Sequence, residues 1–134
     1  MSLDFQHQVA QSISAQGSNQ KILSAAQTFL DESIETKYSY NFTWMGRPII
    51  QYPQDIVAFQ ELVFSIKPDL IIETGIAHGG SLTLSASLLA LLDIEDCHKG
   101  VKAPARKVIG IDIDIRPHNR ALIEKHFLYR YIQL

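Results

Sequence analysis

The sequence predicts an α/β fold in which two helices precede an open parallel sheet. Three observations carry this. A short β-branched apolar run, Asp69-Leu-Ile-Ile-Glu-Thr74, meets a glycine turn, Gly75-Ile-Ala-His-Gly-Gly80. A long apolar helical stretch follows from Ser81 to about Leu92. A second β-branched run, Lys107-Val-Ile-Gly-Ile-Asp-Ile113, comes after it. Strand, turn, helix, strand is a βαβ unit, for which a right-handed crossover is expected.

Each element follows from local chemistry. Residues 1 to 18 are polar, Gln/Ser-rich and weakly periodic, which predicts a frayed or loosely docked arm. From Asn19 to about Glu35, Ile22, Leu23, Ala26, Phe29, Leu30 and Ile34 recur at steps of three and four, one face of an amphipathic helix with Ser18 or Asn19 as N-cap. Tyr38 to Pro48 is aromatic and interrupted by Gly46 and Pro48, which predicts an irregular, largely buried loop. After Pro53, Ile56, Val57, Phe59, Leu62, Val63 and Ile66 give a second helical stripe. Lys67-Pro68 stops it, because a residue before proline is pushed out of the α region.

The run 69–74 reads as a fully buried strand, and the helix from Ser81, apolar on several faces, as packed against the sheet. Residues 93 to 106 are charged and hold Gly100 and Pro104, predicting a surface loop. Pro117 suits the first turn of a helix running to about His126. Tyr129 to Leu134 alternates like the entry to a third strand.

Composition narrows the function classes. With 134 residues, 46% apolar and 19% charged, the chain is one ordinary globular domain, not disordered, collagenous or coiled-coil. A net charge of −2 offers no basic footprint for nucleic acid or anionic lipid. The lone Cys97 forbids an internal disulfide and fits a reducing, cytoplasmic compartment. The first thirty residues lack the basic start and apolar core of a signal peptide. Thr74 to Leu92 is free of formal charge, but its histidine, glycines, serines and threonines are too polar for a membrane span.

The chemistry concentrates in Glu73-Thr-Gly-Ile-Ala-His-Gly-Gly-Ser81. Glycines let the chain turn tightly and let a ligand approach the main chain. The helix after them presents unpaired amides and a positive dipole end. Ligands of such sheets sit at the carboxyl ends of the strands, where Glu73 and Asp112 both fall. A Walker loop is excluded, because no Gly-Lys-Ser/Thr follows the turn. A dinucleotide fingerprint would have a glycine where Ala77 stands, and Asp112 lies further on than that fingerprint expects. An acid before the turn and another after the second strand fit S-adenosylmethionine best. His78 reads as solvent-facing or loop-stabilising, and His118 and His126 as part of a polar helix face. No cluster has metal-ligand spacing. Trp44 and Tyr52 either pack or cover the pocket.

Several blocks in order, Trp44-Met-Gly-Arg-Pro48, Tyr52-Pro-Gln-Asp55, Gln60-Glu61, Lys67 through Ser81, and Val108-Ile-Gly-Ile-Asp-Ile-Asp114, resemble the cephalosporin hydroxylase/rhamnosyl O-methyltransferase family over about residues 38 to 134. The resemblance implies a Rossmann-like parallel sheet of the class I S-adenosylmethionine-dependent methyltransferase type, preceded by N-terminal helices and truncated after the start of the third strand. It divides the chain into an N-terminal helical arm, 1–37, and the N-terminal half of a cofactor-binding domain, 38–134. It implies Glu73, Gly75, Ala77, Gly79, Gly80 and Ser81 on the methionine side of the cofactor, with Asp112, and Asp114 two residues on, at the ribose. It implies a small-molecule or sugar hydroxyl as methyl acceptor. A divalent metal such as Mg would belong to the complete enzyme, with ligands outside this chain, and no catalytic base is named. The rival readings are an NAD-dependent oxidoreductase and a non-catalytic fragment or remnant that oligomerises through its open sheet edge, with Tyr131 to Leu134 exposed there.

Overall fold

The computed structural model describes residues 2–102 and 104–134. The chain divides into two compact units, Met1–Tyr38 and Ser39–Leu134.

The first unit is a pair of helices, α1 (Leu3–Ser18) and α2 (Gln20–Glu35). The segment expected as a frayed arm is therefore helical. Ser2 caps α1 by accepting the Phe5 amide, and alanines and glutamines offset its weak periodicity. Asn19 ends α1 and caps α2, its side-chain oxygen accepting from Lys21 and Ile22. Phe29 and Tyr38 meet edge to face with ring centroids 5.5 Å apart.

The second unit begins with a β-hairpin, β1 (Phe42–Trp44) and β2 (Arg47–Ile49), where an irregular loop was expected. Its two-residue turn has φ of 45° at Met45 and 83° at Gly46, the left-handed pair of a type I′ turn. The Trp44 indole N–H donates to Ser87 Oγ at 3.1 Å, and Met45 O lies 3.1 Å from His126 Nε2. His126 Nδ1 accepts the Leu128 amide, so Nε2 carries the hydrogen and donates. Trp44 thus packs on a helix.

Helix α3 (Pro53–Ile66) ends as predicted: Lys67 adopts φ 51° and ψ 58°, and its amide returns to Val63 O. Strand β3 (Leu70–Thr74) pairs in parallel with β4 (Lys107–Ile111), which pairs in parallel with β5 (Ile132–Gln133), giving the order β3-β4-β5. In this register Ile71, Glu73, Val108, Gly110 and Ile132 share one face. Leu70, Ile72, Thr74, Ile109 and Ile111 share the other. Only the first face is covered, by helix α4 (Gly80–His98): Val108 is fully buried, and a Cβ on Gly110 would meet Leu82 at 2.8 Å. Leu70, Ile72 and Ile111 are exposed. Strand β3 is thus half-buried on one face and exposed on the other, because α4 packs on one side alone.

Helix α4 buries nearly all of its first four turns and resolves the paradox of a charge-free yet polar stretch. Thr83 Oγ1 donates to Gly79 O at 2.8 Å and Ser87 Oγ to Leu84 O at 2.7 Å, so the hydroxyls are satisfied inside the helix. The helix also runs on to His98, through residues expected as loop. Its charged end is paired: buried Arg106 meets Asp93 at 2.6 Å and Asp96 at 2.8 Å, and Lys67 meets Glu95 at 2.8 Å. Helix α5 (Pro117–Glu124) starts at Pro117 and ends two residues before His126, close to the expected bounds. Tyr131, expected at an open edge, is buried, its hydroxyl donating to Asp93 at 2.8 Å. Among the described residues no helix is long and apolar enough to cross a membrane.

Candidate active site

The carboxyl end of β3, the glycine turn and the first turns of α4 form one wall of a cleft of about 650 Å³. Ile56, Phe59 and Leu62 of α3 form an apolar wall, and Gln51 and Asp55 add polar groups. Of the residues singled out in the sequence, Glu73, Gly75, Ala77, Gly80 and Ser81 line this cleft, with His78 beside them.

Glu73 occupies the last inward-facing position of β3. The hydroxyl of Ser81, the second residue of α4, donates to its Oε1. Burial raises the Glu73 pKa, and the bond from Ser81 opposes that rise. The site therefore holds a carboxyl whose charge is only partly compensated by the protein, a natural partner for a cationic ligand group.

The turn has a demanding backbone. Gly75 and Gly79 have φ of 76° and 80°, and Ala77 has φ 44° without being glycine. The position at which a dinucleotide fingerprint would place glycine is thus one where glycine would be unstrained. Gly80 has a different task. A Cβ there would sit 2.2 Å from Pro48 O and 2.6 Å from Ile49 Cα, so this glycine lets β2 lie directly against the start of α4.

Asp112 follows β4 and, with Gly79 and Asp114, is not among the residues that line the cleft; its carboxylate reaches the turn backbone. Its Oδ2 accepts the Ile76 amide at 2.9 Å and its Oδ1 the Asp114 amide at 3.1 Å. Its pKa is lowered, first by the Asp114 amide and further by those of Ile76, Ala77 and Ile113, against a smaller opposing effect of burial. Asp114 is exposed and contributes its amide to Asp112.

Two residues that the sequence did not single out for the site complete the turn. Arg47 of β2 donates through Nε to His78 O at 3.0 Å, and again through Nη2. Asn119 of α5 donates through Nδ2 to Ala77 O at 3.1 Å. Burial lowers the Arg47 pKa from its ordinary value. His78 Nδ1 lies 3.4 Å from Asn119 Oδ1, which makes it a loop-stabilising residue. Pro117 just before Asn119 was the nearest sequence signal, marking the helix but not the contact.

Among the described residues, no group of three or more His, Cys, Asp or Glu side chains is placed to hold a metal ion.

The model of one protein family, described as rhamnosyl O-methyltransferase/CmcI, matches residues 36–134. That span contains β3, the glycine turn, α4, β4 and the whole cleft. No curated protein and no solved structure matches the chain. The matched span is well over half of the sequence, and it coincides with the elements that build the site. The chain belongs to the rhamnosyl O-methyltransferase/CmcI family, a family of O-methyltransferases.

Proposed function

We propose that this chain binds S-adenosylmethionine at the carboxyl end of β3 and serves methyl transfer to a hydroxyl of a small molecule or sugar. The observation that carries the reading is Glu73: a partly desolvated carboxylate at the strand end, held by Ser81, beside a glycine turn whose residues line a cleft. The residues fit the cofactor's chemistry. Glu73 complements its cationic ammonium, and the turn Gly75–Ser81 with the first amides of α4 suits its carboxylate. In this reading Asp112, and Asp114 beside it, meet the ribose hydroxyls at the carboxyl end of β4. Residues 38–134 then make the cofactor-binding part of the chain and 1–37 a helical arm.

When bound, S-adenosylmethionine supplies a methyl group activated by an adjacent sulfonium. The chain's contribution is positioning. Glu73 and the turn fix one end of the ligand, while α3 and α4 exclude water from the cleft. A divalent metal would have to draw on groups beyond the carboxylates described here. The lone Cys97 and the net charge of −2 support a cytoplasmic enzyme that acts on small molecules. Exposed Leu70, Ile72 and Ile111 on the uncovered sheet face support self-association as a further reading.

Titration calorimetry with S-adenosylhomocysteine, with NAD as the control ligand, tests the cofactor. Saturable binding of the homocysteine compound, weakened at least tenfold in Glu73→Ala and in Asp112→Ala, is expected. Binding of NAD alone overturns the reading in favour of an oxidoreductase.

A further inference from the structure

We propose that Arg47 and Asn119 are positioning residues that clamp the Ala77–His78 turn in the form that receives the cofactor; this rests on the cofactor reading above. Both residues are almost completely buried, at 6% and 4% exposure, and they come from two different elements, β2 and α5. Each ends on a carbonyl of the same two-residue segment: Arg47 on His78 O and Asn119 on Ala77 O, at 3.0 and 3.1 Å. They also meet each other, Arg47 Nη2 donating to Asn119 Oδ1 at 3.5 Å. A buried guanidinium and a buried carboxamide aimed at two consecutive backbone oxygens are costly unless the geometry they hold is needed.

What they hold is a strained segment. Ala77 sits at φ 44°, a region that a non-glycine residue leaves unless its surroundings prevent it. Asp112 secures the amide side of this turn through Ile76, and Arg47 and Asn119 secure its carbonyl side. With the carbonyls of residues 77 and 78 already engaged, those oxygens are not free to rotate toward an anionic group in the cleft, which they would repel.

The clamp also fixes His78. Asn119 Nδ2 donates to Ala77 O, so Asn119 Oδ1 is the atom that faces His78 Nδ1 at 3.4 Å. An amide oxygen only accepts. The hydrogen of a neutral His78 therefore resides on Nδ1, and Nε2 carries the lone pair.

The test uses the full chain and the variants Asn119→Ala and Arg47→Lys, the latter keeping the charge but losing the fork. Three quantities are read: S-adenosylhomocysteine affinity, the His78 tautomer from its ring nitrogen shifts, and hydrogen exchange of the Ile76 to Gly79 amides. Thermal unfolding confirms that each variant is folded. The clamp predicts affinity falling by about tenfold or more in both variants, faster exchange confined to the turn, and loss of the Nδ1–H preference in Asn119→Ala. Lysine at position 47 does not rescue. Unchanged affinity in a folded variant overturns the clamp. If the unmutated chain binds no S-adenosylhomocysteine, the cofactor reading fails by itself. Exchange and tautomer then decide the clamp: a selectively loosened turn supports it, and unchanged protection overturns it. Should Asn119→Ala not fold, Arg47→Lys carries the affinity and exchange measurements.

Discussion

The Asp112 carboxylate accepts the Ile76 amide at 2.9 Å, so the acid that ends β4 is built into the turn that follows β3. A residue proposed to meet the ribose hydroxyls thereby also shapes the backbone of the glycine turn. Asp112→Ala should loosen the Ile76 and Ala77 amides in hydrogen exchange as well as weaken S-adenosylhomocysteine. Asp112→Asn should keep part of the acceptor capacity and lose less. The pKa of Asp112 is lowered, so its support is complete above the ordinary aspartate range and disappears as pH falls through the depressed value. Protection of the turn amides, relative to their intrinsic exchange rates, should therefore stay constant on mild acidification and fall only at strongly acid pH.

Ala77→Gly should stabilise the protein. A non-glycine residue in the left-handed region costs about 1–2 kcal/mol, while glycine returns roughly 0.4–1 kcal/mol through the unfolded chain's greater freedom. At φ 44° the first effect wins, leaving a gain of about 0.5 kcal/mol measurable by denaturant unfolding. A loss of stability in this variant would show that the surroundings of Ala77 need its methyl group.

The same argument applies at the hairpin. Met45 occupies the first central position of a type I′ turn at φ 45°, where asparagine is favoured, and its side chain is half exposed. Met45→Asn should raise stability by about 0.5–1 kcal/mol without affecting ligand affinity. The bond from His126 to Met45 O survives, since it uses the backbone. Unfolding midpoints with and without S-adenosylhomocysteine check both halves of the prediction.

These two turns mark where the sequence is legible. Asn19 as a cap, Lys67-Pro68 as a stop and Pro117 as a start are decided within a few residues, and the structure follows them. The hairpin was hidden because methionine carries no signal for a left-handed turn. The extension of α4 to His98 was hidden because its charges find partners elsewhere in the chain, Lys67 for Glu95 and Arg106 for Asp93 and Asp96. Which face of β3 is covered depends on α4, not on β3 itself. In the site, Glu73 to Ser81 forms one contiguous motif, whereas Arg47 lies 31 residues from His78 and Asn119 lies 42 from Ala77. Contacts at that separation leave no local pattern.

Glu73 should trade stability for function. Its pKa is raised, mainly by burial, so the folded protein binds this proton more tightly than the unfolded chain does. Stability then falls as pH rises from the ordinary glutamate range through the raised value, and stays lower above it. Glu73→Gln removes that cost while keeping an acceptor for the Ser81 hydroxyl. The variant should match the parent at acid pH, exceed it in stability at neutral pH, and bind S-adenosylhomocysteine more weakly. Equal stability at every pH would show that Glu73 carries no burial cost.

Glu95 should behave in the opposite sense. Lys67 lies 2.8 Å from both of its carboxylate oxygens and Lys99 pairs with it one turn along α4. Hydrogen bonds from Lys67 first, then Lys99, bring its pKa down to about 2. The unfolded chain binds this proton more readily than the folded one. The contribution is therefore complete above the ordinary glutamate range and is lost as pH falls toward about 2. Because Lys67 also terminates α3, the pair ties the end of that helix to α4, and its loss should free both ends together. Melting curves recorded from neutral to strongly acid pH should show a steeper acid decline in the parent than in Glu95→Gln. High salt should narrow the difference, since these groups face solvent. Parallel declines in the two proteins would mean that Glu95 adds nothing to the acid response.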